Sequence, residues 1–73
     1  MITIYTTSVC HFCVKAKEYF KSKGLEYTEH NVTLDPAMAT LMIQKSGQMG
    51  VPVIDIDGKI VVGFDKRKLD ELT

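Results

Sequence analysis

Cys10 and Cys13 are the only cysteines in this 73-residue chain, and His11 and Phe12 separate them. Two thiols at that spacing at the start of a helix suit thiol–disulfide exchange, in which one sulfur attacks and the other displaces. Residues 2–6 are rich in β-branched and aromatic types and read as a strand. From Phe12 the period becomes helical, so the pair falls where a strand ends and a helix begins. Free backbone N–H groups and the positive end of the helix dipole favour an anion at that junction. The Cys10 thiol is therefore expected to be acidified. Cys13 follows about one turn later, near enough to bridge and less exposed. Such a bridge closes too short a loop to stabilise a fold by chain entropy. In a reducing compartment the pair thus reads as catalytic or metal-binding. Zinc asks for four ligands, and the chain adds only His11, inside the motif, and His30, far along it. No metal is expected.

The elements that must hold the pair follow from periodicity. Phe12, Ala16, Tyr19, Phe20 and Lys23 recur at helical spacing, which predicts an amphipathic helix over 11–23, stopped by Gly24. A second extended segment is expected over 26–32. Asp35 and Pro36 make a helix opening, with Met38, Leu41 and Met42 as its apolar stripe and Ser46-Gly47 as its end. The methionines read as core filler. Residues 51–56 and 59–62 flank Asp57-Gly58, a strong hairpin signal. Asp65 can cap a last helix whose Leu69 and Leu72 pack inward. The expected order is β-α-β-α-β-β-α: a four-stranded mixed sheet flanked by helices, in an α/β single domain spanning 1–73.

Composition narrows the function classes. Hydrophobic residues make up 45% and charged residues 25%, the mix of a soluble globular protein. Nine basic residues balance nine acidic ones, which argues against a dedicated nucleic-acid binder. No apolar run approaches the roughly 18 residues that a bilayer span needs, so no membrane role is expected. Met1 to Thr7 has neither a basic region nor a cleavage site, and a cytoplasmic location is expected. The chain has no long apolar edge and is expected to be monomeric.

Ile4-Tyr5-Thr6 leading into Cys10-x-x-Cys13, Gly50-Val51-Pro52-Val53 and Gly63-Phe64-Asp65 together resemble the glutaredoxin family of the thioredoxin-fold superfamily, in particular its short single-domain members. The resemblance covers residues 1–73. It implies the thioredoxin fold and a thiol–disulfide oxidoreductase, with Cys10 as the exposed nucleophile and Cys13 as the resolving thiol. Pro52 matches the family's cis-proline beside the cysteines, so the Val51–Pro52 bond is expected to be cis. The Val51 backbone would then pair with substrate like a short strand. Gly63-Phe64-Asp65 matches the part that holds the γ-glutamyl end of glutathione, while Asp65 alone also reads as an N-cap. Phe12, Met49, Val51 and Phe64 would form the surface that selects partners. The resemblance implies no bound cofactor. Electrons would come from glutathione or from a thioredoxin-reductase-type flavoenzyme and pass to disulfide-containing proteins.

Several positions depart from the family. His11 and Phe12 stand where Pro and Tyr are usual, and His11 reads either as a charged neighbour of the thiolate or as an exposed bystander. Thr7 replaces a lysine, and Val62-Gly63 replaces a glycine pair. These changes remove one charge contact and one close-approach position for glutathione and leave the disulfide chemistry intact. Gln44, Lys45 and Gln48 fall near the family's contacts to the glycyl carboxylate. Lys66-Arg67-Lys68 places basic charge at a helix start, where it is mildly unfavourable, and reads as a solvated run or an attractor of acidic partners. The resemblance also implies two other roles: a carrier bridging an iron–sulfur cluster between subunits, or a dedicated electron donor to a partner such as ribonucleotide reductase.

Overall fold

A computed structural model of the chain describes residues 1–48 and 50–73. Met49, expected on the partner-selecting surface, lies outside the described residues. The elements run β1 (Ile2–Thr6), α1 (His11–Ser22), β2 (Thr28–Asn31), α2 (Pro36–Ser46), β3 (Val53–Ile56), β4 (Lys59–Val62) and α3 (Lys66–Leu72). The four strands form one sheet in the order β2-β1-β3-β4. β1 pairs parallel with β2 and antiparallel with β3, and β3 pairs antiparallel with β4. This is the mixed four-stranded α/β architecture expected from the element order.

Side-chain alternation divides the sheet into two faces. Ile2 and Ile4 of β1, Ile54 and Ile56 of β3 and Val61 of β4 meet Ala16, Tyr19 and Phe20 of α1 and Leu69 of α3. The intervening positions, Tyr5 and Val53, turn to the other face and meet Met42 of α2. Leu72 packs against the larger cluster, as the sequence predicts.

α1 and α2 end at the glycines that the sequence indicates. Gly24, at φ 70°, closes α1: the Leu25 N–H donates to the Phe20 carbonyl at 3.0 Å and the Gly24 N–H to the Lys21 carbonyl at 3.1 Å. That pattern satisfies the last carbonyls and seats Leu25 on the core. Asp35 caps α2 and Pro36 opens it, while Gly47, in the left-handed region, closes it. Asp57 and Gly58 both have positive φ, which suits a two-residue hairpin turn.

Three details differ from the sequence reading. The second strand is shorter than 26–32, and the third begins at Val53 because Pro52 has no N–H to give a ladder. The buried stripe of α1 is Cys13, Ala16, Tyr19 and Phe20, with Phe12 55% exposed and Lys23 also exposed. Phe12 lies in the first turn of the helix, which starts past the end of β1, where the sheet no longer covers it.

Candidate active site

The cysteine pair stands at one end of the sheet, and the register brings the other candidate segments to that end. Tyr5 pairs with Val53, and Val53 with Val62, so the end of β1, the start of β3 and the end of β4 are adjacent. The Gly63 N–H donates to the Pro52 carbonyl at 2.8 Å, joining the two segments that flank the hairpin strands. The Val32 N–H donates to the Thr6 carbonyl at 2.8 Å, and the Asn31 amide to the Ser8 hydroxyl, which fasten the loop before Cys10 to β2.

Cys10 is the N-cap of α1, in extended conformation, and its Sγ accepts the Cys13 N–H at 3.1 Å. Its carbonyl accepts the Val14 N–H at 3.3 Å. A sulfur that caps a helix receives an N–H and lies at the positive end of the peptide dipoles, both of which favour negative charge on it. Cys10 and Cys13 are joined as a disulfide, with Cα atoms 5.2 Å apart. The two sulfurs differ in access. Cys13 is 2% exposed against the core face of α1, whereas Cys10 is only partly covered. Val9, Cys10, His11 and Val14 line a shallow concavity of about 180 Å³. A slightly larger one, about 220 Å³, lies among Met1, Ile2, Glu26, Tyr27 and Thr28 and contains no nucleophilic sulfur. The chemistry belongs to the smaller.

The Val51–Pro52 peptide is cis, as the resemblance implies, with Pro52 buried and Val51 half-buried. The approach to it is braced by Gln48, whose Oε1 accepts the Gly50 N–H at 2.7 Å and whose Nε2 donates to the Gly50 carbonyl at 3.1 Å. Gly63 has φ 78°, a conformation that a side chain would strain, and open space lies where its Cβ would be. Phe64 is half-buried and meets the Tyr19 ring edge-on at 5.9 Å. Asp65 caps α3, its Oδ1 accepting the Lys68 N–H at 3.2 Å.

Two residues that the sequence reading set near a carboxylate contact are engaged within the chain. Gln48 folds onto Gly50, and the Lys45 ammonium donates to Asp55 at 2.8 Å while lying 6.0 Å from the Tyr5 ring centre. The hydrogen bond from Lys45, with a lesser one from the Gly58 N–H, holds the Asp55 carboxyl below its usual range.

Other supporting residues gave no sign in the sequence. Thr6, fully buried just before the cysteine loop, donates its hydroxyl to Glu29 at 2.7 Å, and the same carboxylate oxygen accepts Lys17 at 3.1 Å. The Thr6 hydroxyl and then Lys17 lower the Glu29 pKa. Tyr19 donates to Asp70, which also accepts Lys23 at 3.2 Å, so α1 and α3 are tied beside Phe64. These partners are far apart in the chain, and only a fold brings them together. Among the described residues no group of three or more His, Cys, Asp or Glu is arranged to hold a metal ion.

A Cys-x-x-Cys at the N-terminus of the first helix, with a cis-proline at the same end of a four-stranded mixed sheet, defines a thioredoxin-like protein. Comparison with known proteins sharpens the class: the glutaredoxin family model matches residues 2–61, and the chain belongs to that family. A glutaredoxin-like 8.6 kDa protein of the rubredoxin operon of Clostridium pasteurianum is 49% identical over 72 residues, covering 99% of this chain and 96% of that one. The crystal structure of the thioredoxin-like protein BC3987 superposes with a TM-score of 0.94 at 33% identity over the whole of both chains. Glutaredoxin-like NrdH-redoxin from Escherichia coli, described as having a thioredoxin-like activity profile, has a TM-score of 0.88 at 26% identity, covering 99% of this chain and 93% of that one.

Proposed function

We propose that this protein is a dithiol–disulfide oxidoreductase that reduces protein disulfides or glutathione mixed disulfides. One observation carries the reading: a partly exposed sulfur, Cys10, caps α1 and is within bonding reach of a buried one, Cys13. In the reduced protein the Cys10 thiolate attacks a substrate disulfide R–S–S–R′. A Cys10–S–S–R bond forms, and R′–S⁻ leaves and takes a proton from water. Cys13, deprotonated, then attacks the Cys10 sulfur and releases R–S⁻, so two electrons have passed to the substrate and the Cys10–Cys13 disulfide remains. Burial of Cys13 suits this order, because a substrate reaches Cys10 first. The Val51 backbone would pair with the substrate chain, and the exposed Phe12 and half-buried Phe64 would add apolar contacts.

Electrons return from one of two sources. Gly63, Phe64 and Asp65 would receive the γ-glutamyl end of glutathione, whereas Thr7 and Val62 weaken that fit and the NrdH-redoxin likeness favours a flavoenzyme reductase. The test follows NADPH consumption with an added disulfide substrate, supplying either glutathione with glutathione reductase or thioredoxin reductase alone. Turnover with either reductant, abolished in Cys10→Ser, is the expected result. Cys13→Ser should accumulate a mixed disulfide on Cys10, visible by mass spectrometry. Disulfide reduction that survives Cys10→Ser would overturn the assignment of the nucleophile.

A further inference from the structure

The charges around the cysteine end are unevenly distributed although the whole chain is neutral. α1 and α3 pack side by side on one face of the sheet. Val62, the last residue of β4, pairs with Val53, and the Gly63 N–H donates to the Pro52 carbonyl, so the chain enters α3 from the cysteine end of the sheet. The starts of α1 and α3 therefore both lie toward that end of the sheet. The first turn of α3 carries Lys66, Arg67 and Lys68, and Lys15 follows the first turn of α1; all four are exposed. None of them takes part in an ion pair among the described residues. Asp65, the carboxylate adjoining the three cations of α3, caps the helix through the Lys68 N–H and offsets one of their charges.

Tyr19 and Lys23, and after them Lys66 one turn earlier in α3, hold the Asp70 carboxyl below its usual range, but the helix dipole does not favour the cluster. The first turn of α3 has no acidic residue, and three consecutive cations there oppose the helix dipole and one another. Beside the cations lies apolar surface: Val9 is 92% exposed, and Phe12 lies under the Lys15 ammonium, 5.4 Å from its ring centre. A protein chain arriving at Cys10 therefore meets an apolar patch at the sulfur and positive charge along one side.

We propose that the preferred substrate of this site is a protein segment whose disulfide is flanked by Asp or Glu, with Lys66, Arg67 and Lys68 selecting it by charge. The inference rests on the oxidoreductase reading above and adds the class of substrate. Complementary charge raises the rate of productive encounter, and the effect fades as salt shortens the screening length.

The test mixes the reduced protein with two disulfide peptides that differ only in flanking residues, acidic in one and basic in the other. Oxidation of the Cys10–Cys13 pair is followed by thiol trapping, and each rate is divided by that of the same peptide with dithiothreitol, a neutral dithiol. At low ionic strength the acidic peptide is expected to react about tenfold faster, and the ratio should fall toward one in high salt. Replacing all three cations by glutamine should remove the preference, and replacing them by glutamate should invert it. Circular dichroism of both variants guards against misfolding, and the glutamine variant retains a neutral surface if the glutamate variant fails to fold. Equal normalised rates, or a preference that persists in the glutamine variant, would overturn the proposal and leave the oxidoreductase reading standing. If neither peptide oxidises the cysteine pair while dithiothreitol reduces both peptides, both readings fall.

Discussion

Among the described residues, nine buried ones form one cluster on the α1/α3 face of the sheet, from Ile2 to Leu69, whereas on the α2 face Tyr5, Met42 and Val53 do so. The difference extends to polar contacts. α1 is tied to β2 through Lys17, Glu29 and Thr6, and to α3 through Tyr19, Lys23 and Asp70. α2 is tied to the sheet by Lys45 and Asp55. Its own buried residue is Met42. The deeper face carries the helix that Cys10, the proposed nucleophile, caps, and the shallower face carries the helix that precedes Val51 and Pro52. A thiolate must keep its place at the helix end to retain its stabilising amides, while a strand that pairs with varied substrates tolerates adjustment. On the proposed function, fixed geometry is expected at the sulfur and adaptability at the Val51–Pro52 edge.

The largest test of that contrast removes side chains from each face. Phe20→Ala empties the centre of the larger cluster and should cost about 3–5 kcal/mol, a major part of the stability of so small a domain. Met42→Ala, on the thinner face, should cost nearer 2 kcal/mol, since fewer neighbours surround it. Denaturant unfolding of both variants measures this, and equal losses would break the contrast. A subtler expectation concerns the native state. Amides in the middle of α2 should exchange with solvent through openings of lower free energy than those in the middle of α1. Hydrogen exchange that shows α2 as well protected as α1 would erase the distinction.

The smallest effect is electrostatic. The Thr6 hydroxyl, and then Lys17, hold the folded-state pKa of Glu29 below its ordinary value. The stabilisation is therefore present above the unfolded-state pKa and is lost as pH falls through the folded-state value. Because the pair is partly exposed, the loss should be about 0.5 kcal/mol. Glu29→Gln should flatten that part of the acid limb of stability against pH. An unchanged acid limb would show that the tie between α1 and β2 adds nothing to the stronger face.

Much of the fold was legible because its signals are local. Pro36 after Asp35, Gly24 after the α1 stripe, and Asp57-Gly58 between β-branched runs each act on the backbone within a few residues. The cysteine pair was legible for the same reason, since a helix start is defined by neighbours in the chain. Phe12 was misplaced because periodicity gives an angle around the helix axis but not how far the sheet extends beneath it. Lys45 and Gln48 appeared free to meet a ligand because nothing local announces Asp55 or a folded amide on Gly50.

By itself, then, the sequence determined that two thiols stand at a strand-to-helix junction in a seven-element α/β chain, because spacing and caps operate over a few residues. Only the tertiary structure decided that Lys45 is paired with Asp55, which cations at the cysteine end lack an ion pair among the described residues, and that Pro52 and Gly63 are joined there. Burial, charge pairing and strand register depend on residues distant in the chain, and those distances close only when the sheet forms.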